Sequence, residues 1–421
     1  MAYYRVMNQQ PLTENDFYTA HHAAIFKAIQ GIAKNNGKID LLTVGQAFVA
    51  SGGDIMDVMD ISNTVGSTAN LEYHVQCLKQ VTMRRELIKI SDITQKSAFD
   101  ASVDILETVG YAQRSVMEVT DKLTKTEDNL SDILQGIDND ADGVYNPANS
   151  PVSTGITDLD KNICGGVEND DFFVIGADSG VGKTALMFNI VSSFLENGKS
   201  CAVFSYEMST KKLLIRLISA KAEVMAQNIK MGTMSEDERQ RYKLARLWIN
   251  EKIEKNLLHI FDCGGMSIEV LRAKCIAASC QHKINGIFID YMQLIPTGRF
   301  FKDQNESSSF VARELMNIKK HLGVPVIAAS QLRKNKLGSR PTAADLLGAQ
   351  ALENCASKIL LIHRPEKEGI MQFEDGEDSI GKADIYIAKN REGQTACERI
   401  RYSGYYFKFE NYQQAQWNSA F

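Results

Sequence analysis

The sequence predicts an α/β fold: a mainly parallel sheet with helices on both faces, preceded by a small all-α domain. Three observations predict it. After residue 152, short continuously apolar runs alternate with helical segments. Residues 12–130 carry apolar side chains at helical spacing with little strand signal. Between the two textures, residues 138–151 are polar and acidic and hold two of the seven prolines, as a linker does. Strands apolar on every residue must be covered on both faces, which calls for parallel pairing and flanking helices.

The elements follow in order. In the first domain, Phe17, Phe26 and Ile29, then Leu71, Val75 and Leu78, then Leu87, Ile90 and Ile93 mark helix faces. Thr13 and the run Ser67 to Asn70 are candidate caps. A short helical piece over 131–135 precedes the linker. Strands are expected at 172–176, 201–205, 258–261, 286–290, 324–330, 358–362 and 384–388, and a closing hairpin turns near Ser403 and Gly404. The expected domains are 1–130, a linker with its helix at 131–152, and 153–421.

Composition narrows the class. With 44% hydrophobic and 24% charged residues, the 421-residue chain is neither disordered nor collagen-like. No apolar run reaches the ~18 residues of a membrane helix. No basic segment followed by an apolar core opens the chain, so the cytoplasm is the expected compartment. The eight cysteines form no C-x-x-C pair and are expected to be buried, reduced thiols; the seven histidines show no zinc spacing. The net charge of −5 argues at first against a nucleic-acid partner. Its distribution changes that. Residues 1–130 hold 12 basic and 16 acidic side chains, and 131–150 add four aspartates and no base. Residues 151–421 hold 35 basic and 32 acidic side chains, a balance that allows a local phosphate-binding stripe.

The strongest local signal is an apolar strand, a small-residue turn and an apolar helix in succession. The turn reads Ala177, Asp178, Ser179, Gly180, Val181, Gly182, Lys183, Thr184. Small residues let backbone N–H groups turn inward around phosphates, and the helix adds its positive end. Lys183 is placed for the β- and γ-phosphates of ATP and Thr184 for Mg²⁺. The G-x4-G-K-[ST] pattern asks for glycine at 177; Ala177 stands there, with Gly176 one place early. Gly198, Lys199 and Ser200 also read G-K-S, but they follow a helix and precede a strand, as a helix cap does.

Three further polar residues end strands on the same expected edge, where open parallel sheets bind ligands. Asp290 closes an apolar run and suits a Mg²⁺ water shell. Glu207 can orient and deprotonate an attacking water. Gln331 can sense a γ-phosphate by hydrogen bonding.

Taken together, these residues resemble the RecA-like P-loop motor of DnaB-type replicative helicases. The resemblance includes the entry segment from Ser153 to Val167, the Phe204 to Ser209 stretch with Glu207, the run Ile289 to Ile295, and Val324 to Leu332. The run Ile387 to Gly393 resembles the K-x-R segment, which implies that Lys389 and Arg391 reach a neighbouring subunit's ATP site. Leu12 to Phe26 and Ala69 to Ile88 are similar to the helical collar, although the match starts late, as in a phage or mobile-element version. The family's DNA loop corresponds to residues 340–353, with Leu347 where an arginine is expected. The resemblance therefore implies DNA phosphates held by the backbone N–H groups of Gly348, Ala349 and Gln350.

The activity implied is an ATP-dependent DNA helicase: a homo-hexamer moving 5′→3′ on single-stranded DNA and unwinding forked duplex. Primase and a helicase loader are the implied partners, and no membrane is involved. The family's linker helix implies that Ile133 and Leu134 dock on a neighbouring motor domain. A RecA-type recombination or repair ATPase without processive unwinding is the alternative, with an ATP-bound loading factor a third reading from another class.

Overall fold

The computed structural model describes residues 12–35, 37–64, 71–124, 130–142, 150–298, 300–333 and 338–412. The candidate cap at 67–70 lies outside them. The chain divides into two compact units, Met1–Val144 and Tyr145–Phe421.

The first unit is helical: Ala20–Lys34, Leu41–Ala50, Ile55–Thr64, Leu71–Phe99, Ile105–Thr124 and Leu130–Ala141. Thr13 opens a short 3-10 turn, its N–H donating to the Asp16 carboxylate at 2.6 Å. Asp16 is buried and accepts from Lys79 Nζ at 3.0 Å, so the turn is tied to the 29-residue helix. Leu12, Phe26 and Val75 form one small core, and Ile25, Val44, Phe48 and Val58 another. The last helix corrects the expected linker. It continues to Ala141, so Asp138 and Asp140 lie inside it.

The second unit is built on nine strands. These are β1 (Phe172–Ala177), β2 (Cys201–Ser205), β3 (Leu258–Asp262), β4 (Gly286–Asp290), β5 (Val326–Gln331), β6 (Lys358–His363), β7 (Lys382–Asn390), β8 (Cys397–Ser403) and β9 (Lys408–Glu410). Their order across the sheet is β3-β2-β4-β5-β1-β6-β7-β8-β9. The first six are parallel, and the last three add an antiparallel edge. Every residue of β1, β2 and β4 is buried, as two-sided cover requires. Apolar layers fill both faces. Leu186, Ile190, Phe194 and Leu217 lie on one, and Leu271, Cys275, Val311 and Leu315 on the other.

Glycine supplies one packing constraint that explains the displaced motif. A Cβ on Gly176 would stand 2.7 Å from side-chain atoms of both Leu346 and Leu361. Glycine is needed inside the strand, one residue before the turn. Gly198 follows the helix Lys183–Glu196 with φ +68°, so the second G-K-S is a helix cap.

The cysteine expectation needs correcting. All eight are free thiols, but Cys164, Cys280 and Cys397 are exposed, because each sits on a loop, helix or edge-strand position outside the two core layers. Among the described residues, no helix is long and apolar enough to cross a membrane.

Candidate nucleotide site

The site forms where β1, β2, β4 and β5 end. Ala177 pairs with Gln331 across β1 and β5, and Ser205 with Asp290 across β2 and β4. The sheet therefore brings the phosphate loop, Glu207, Asp290 and Gln331 to one edge. Gly180 (φ +75°) and Gly182 (φ +131°) take left-handed conformations that reverse the loop. A Cβ on Gly182 would also meet the Phe409 ring at 2.8 Å. Ala177 is fully buried as the last residue of β1.

Lys183 opens the helix Lys183–Glu196 and donates to the carbonyls of Ala177 at 2.7 Å and Asp178 at 2.9 Å. Burial lowers its pKa, opposed by the charges of Asp290, Asp178 and Glu207. Burial likewise pushes Asp178 up. Thr184 Oγ1 donates to Asp290 Oδ2 at 2.9 Å. Asp290 has no exposed surface, and burial pushes its pKa up to about 6, with Glu207 adding to the shift and Thr184, Lys183 and Arg216 opposing it. Its Oδ1 is buried without a hydrogen-bond partner. A buried carboxylate oxygen with an open lone pair, next to a threonine hydroxyl, is the donor set a hydrated Mg²⁺ needs. The residues present fit that ion.

Glu207 is exposed two residues past β2, and its charge acts on both Asp290 and Lys183. Gln331 is anchored from the β4 side. Its N–H donates to Gln293 Oε1 at 3.1 Å, and Gln293 Nε2 donates to Ser330 Oγ at 2.8 Å. This amide joins β4 to β5 beyond their last paired residues.

Lys389 and Arg391 lie elsewhere. Arg391 N–H donates to the Ser357 carbonyl at 3.1 Å, and Ser357 N–H to the Phe172 carbonyl at 2.9 Å. Arg391 is therefore level with the start of β1, while the phosphate loop follows its end at Ala177. Five residues at ~3.3 Å each separate the two levels by roughly 16 Å. The Arg391 guanidinium donates to Asn354 O at 2.7 Å and Lys389 Nζ to Ala356 O at 2.7 Å, capping the helix Ala349–Cys355.

The expected DNA loop is partly occupied by the chain's own contacts. Gly348 N–H donates to Asn305 Oδ1 at 2.8 Å and Ala349 N–H to Leu346 O at 3.1 Å. Gln350 is exposed in the first turn of the following helix.

The sequence reading missed two features. A pocket of about 400 Å³ runs from Thr184 past Asn189 to Arg216, Phe407 and Asn411. The Arg216 guanidinium stacks on Phe407, 4.8 Å from its centroid. Arg364, buried at the end of β6, donates to Val181 O at 3.2 Å and stacks on Tyr402 at 3.9 Å, bracing the phosphate loop from below.

The DnaB-like helicase C terminal domain matches residues 151–411, nearly two thirds of the chain. The chain belongs to the DnaB-like helicase family. The DnaB-like helicase N terminal domain matches residues 4–80, so the likeness begins before Leu12, where the sequence reading had started it. The replicative DNA helicase DnaC of Bacillus subtilis is 27% identical over 95% of this chain and 89% of its own length. The replicative DNA helicase DnaB of Treponema pallidum is 29% identical over 95% and 90%. A solved DnaB-like replicative helicase, described with its interactions with primase, superposes with TM-score 0.67 at 22% identity, covering 97% of this chain and 96% of that one. A second solved structure, an isolated ATPase domain, gives 0.59 at 24% identity over 68% of this chain and all of that domain. The DnaB-like family membership fixes the class of activity: a replicative DNA helicase, an enzyme that uses nucleotide, with a RecA-like motor fold and an all-helical N-terminal part.

Proposed function

We propose that the chain works as a ring of six, using ATP with Mg²⁺ to move 5′→3′ along single-stranded DNA and part the duplex at a fork. The observation that supports it best is the division of one sheet. Lys183, Thr184, Glu207, Asp290 and Gln331 share one edge, and Lys389 and Arg391 stand at the other.

ATP lies with its phosphates in the 177–184 loop and its nucleoside in the pocket beside Arg216 and Phe407, whose stacked pair offers a flat face to a base. Lys183 turns from the Ala177 and Asp178 carbonyls to the β- and γ-phosphate oxygens. Thr184 and Asp290 would hold Mg²⁺, which when bound neutralises charge on those oxygens. Glu207 takes a proton from the water that attacks the γ-phosphorus. Gln331 hydrogen-bonds the γ-phosphate and, through β5, reports its loss to the 340–350 loop: Leu332 and Leu346 pair as an isolated bridge, and Arg333 N–H bonds Asp345 O at 2.7 Å. Lys389 and Arg391 complete the site of the next subunit.

DNA phosphates meet the 348–350 loop. Because Gly348 and Ala349 spend their N–H groups inside the chain, Gln350 carries more of that contact than its neighbours. Primase is the partner suggested by the solved relative, and a helicase loader by the family resemblance. Unwinding of forked DNA, measured beside DNA-stimulated ATP hydrolysis, tests the reading. ATPase activity without strand separation would favour a recombination-type or loading role.

A further inference from the structure

Lys358 opens β6 and has no exposed surface. A lysine so buried must be paired. Three carboxylates surround its ammonium: Asp171 at 2.8 Å, Glu392 at 3.1 Å and Glu168 at 3.7 Å. Burial draws Lys358 toward its neutral form, and the charges and hydrogen bonds of Asp171, Glu168 and Glu392 outweigh it. Asp171 is itself fixed. It accepts from Ser357 Oγ at 2.6 Å and from the Glu168 N–H at 2.9 Å. Burial, with a hydrogen bond to Glu392, pushes Glu168 up to about 7, against the charge of Lys358.

Glu392 is the member of this cluster that follows Arg391. The segment around it leaves β7 at Asn390, and β8 begins at Cys397; between them the Arg391 N–H still bonds the Ser357 carbonyl. Side chains add to that backbone bond. Asn390 Nδ2 donates to Asn162 O at 2.9 Å, Glu392 N–H donates to Asn390 Oδ1 at 3.3 Å, and the Glu392 carboxylate meets Lys358. Arg391 is thus gripped on both sides while its own side chain stays exposed.

We infer that Glu392, clamped by buried Lys358, is a positioning residue that sets the reach and angle of Arg391 toward a neighbouring subunit's nucleotide. The inference rests on the reading of Arg391 as a residue acting between subunits. A guanidinium that meets a transferring phosphoryl group has to be held to a fraction of an ångström, and a long side chain on an untethered loop is not. An apolar side chain at 358 would fill the start of β6 without burying a charge. The ion cluster adds a fixed direction from the sheet to the loop, which apolar packing does not supply.

Glu392→Ala in the full-length chain tests this. Its side chain is partly exposed, and Lys358 keeps Asp171 and Glu168, so melting temperature and nucleotide affinity should stay at wild-type values. ATP hydrolysis should fall roughly 10- to 100-fold, the scale of an ångström misplacement. The decisive readout is direction in mixed assemblies. Glu392→Ala mixed with Lys183→Ala should regain hydrolysis, because the first brings an intact phosphate loop and the second an intact arginine. Glu392→Ala mixed with Arg391→Ala should not. The reference mixture, Lys183→Ala with Arg391→Ala, checks the underlying reading. Recovery there, together with rescue of Arg391→Ala by Glu392→Ala, overturns the positioning role alone, as does wild-type hydrolysis by Glu392→Ala. No recovery in the reference mixture, with subunit exchange confirmed, overturns the intersubunit reading and this inference with it.

Discussion

Thr184 Oγ1 donates a 2.9 Å hydrogen bond to Asp290 Oδ2, so the first turn of the phosphate-loop helix is bonded to the last residue of β4. The two residues are 106 positions apart, and although β5 lies between β1 and β4, the helix that follows β1 packs across both β5 and β4 and brings Thr184 to Asp290. Their contact makes the Asp290 carboxyl a structural group as well as the proposed ligand for Mg²⁺.

Burial gives the Asp290 carboxyl a cost that depends on pH. The native carboxyl keeps its proton to about pH 6, while an ordinary aspartate releases it near 3.8. Between those values the folded chain binds more protons than the unfolded one, so stability falls as pH rises through the window. Above pH 6 the full penalty applies, roughly 3 kcal/mol. Asp290→Asn keeps the acceptor for Thr184 and removes the charge. Its melting temperature without nucleotide or metal should exceed wild type by roughly 5–10 °C at about pH 8, and the two should converge as pH falls toward about 4. An offset of the same size at every pH would show that ionisation of Asp290 carries no such cost.

Glu207→Gln separates binding from chemistry. Its carboxylate is exposed and contributes no hydrogen bond to the loop, so nucleotide affinity should be retained. Turnover should drop by roughly 10²–10⁴-fold, the usual contribution of a general base. Single-turnover hydrolysis beside equilibrium nucleotide binding reads both; wild-type turnover would move the role to another group, with Gln331 next in line.

Arg391→Ala should bind ATP normally, because Lys183 and its loop are roughly 16 Å away along the sheet. Hydrolysis should fall by the roughly 10³–10⁵-fold attributed to arginines that meet the transferring phosphoryl group. Mixing with Lys183→Ala should restore part of the ATPase but little unwinding, since translocation needs working junctions all round a ring. ATPase titrated against subunit ratio is the measurement.

The helix Leu130–Ala141 presents Leu134 and Ile137 to solvent, 61% and 56% exposed. Apolar side chains on so acidic a helix gain by docking on another surface. Replacing Leu134 and Ile137 together with Asp should break assemblies into smaller species while the circular dichroism of the helical unit stays unchanged. Light scattering decides the matter, and an unaltered hexamer mass would rule out docking through this face.

The motor was legible where local chemistry and strand period coincide. Phe172 to Thr184 announces strand, turn and helix within a short stretch, and Asp290 and Gln331 stand where buried strands run out. The glycine at 176 looked like a departure from the motif and is a packing requirement imposed by Leu346 and Leu361, residues no local pattern connects to it. The pocket beside Arg216 and Phe407 was invisible for the same reason. Arg216 and Phe407 lie on a helix and a hairpin far apart in the chain and meet only in the folded sheet. The last helix of the first unit ran past its expected end because Asp138 and Asp140, poor helix formers that read as linker, are carried by the helical turn already begun at Leu130.

The separation of Arg391 from the phosphate loop along one sheet has a consequence for symmetry. If Arg391 acts as proposed, a protomer with a donor on one rim of the sheet and an acceptor on the opposite rim joins each rim to a different neighbour. Its association is head-to-tail, and each added copy completes one centre while leaving one donor and one acceptor unused at the ends. Only closure of the series removes those ends, so the number of finished centres equals the number of copies in a closed assembly and is one fewer in an open one. Activity per chain should therefore rise with concentration until closure and then stay flat, a dependence that a self-sufficient monomer does not have.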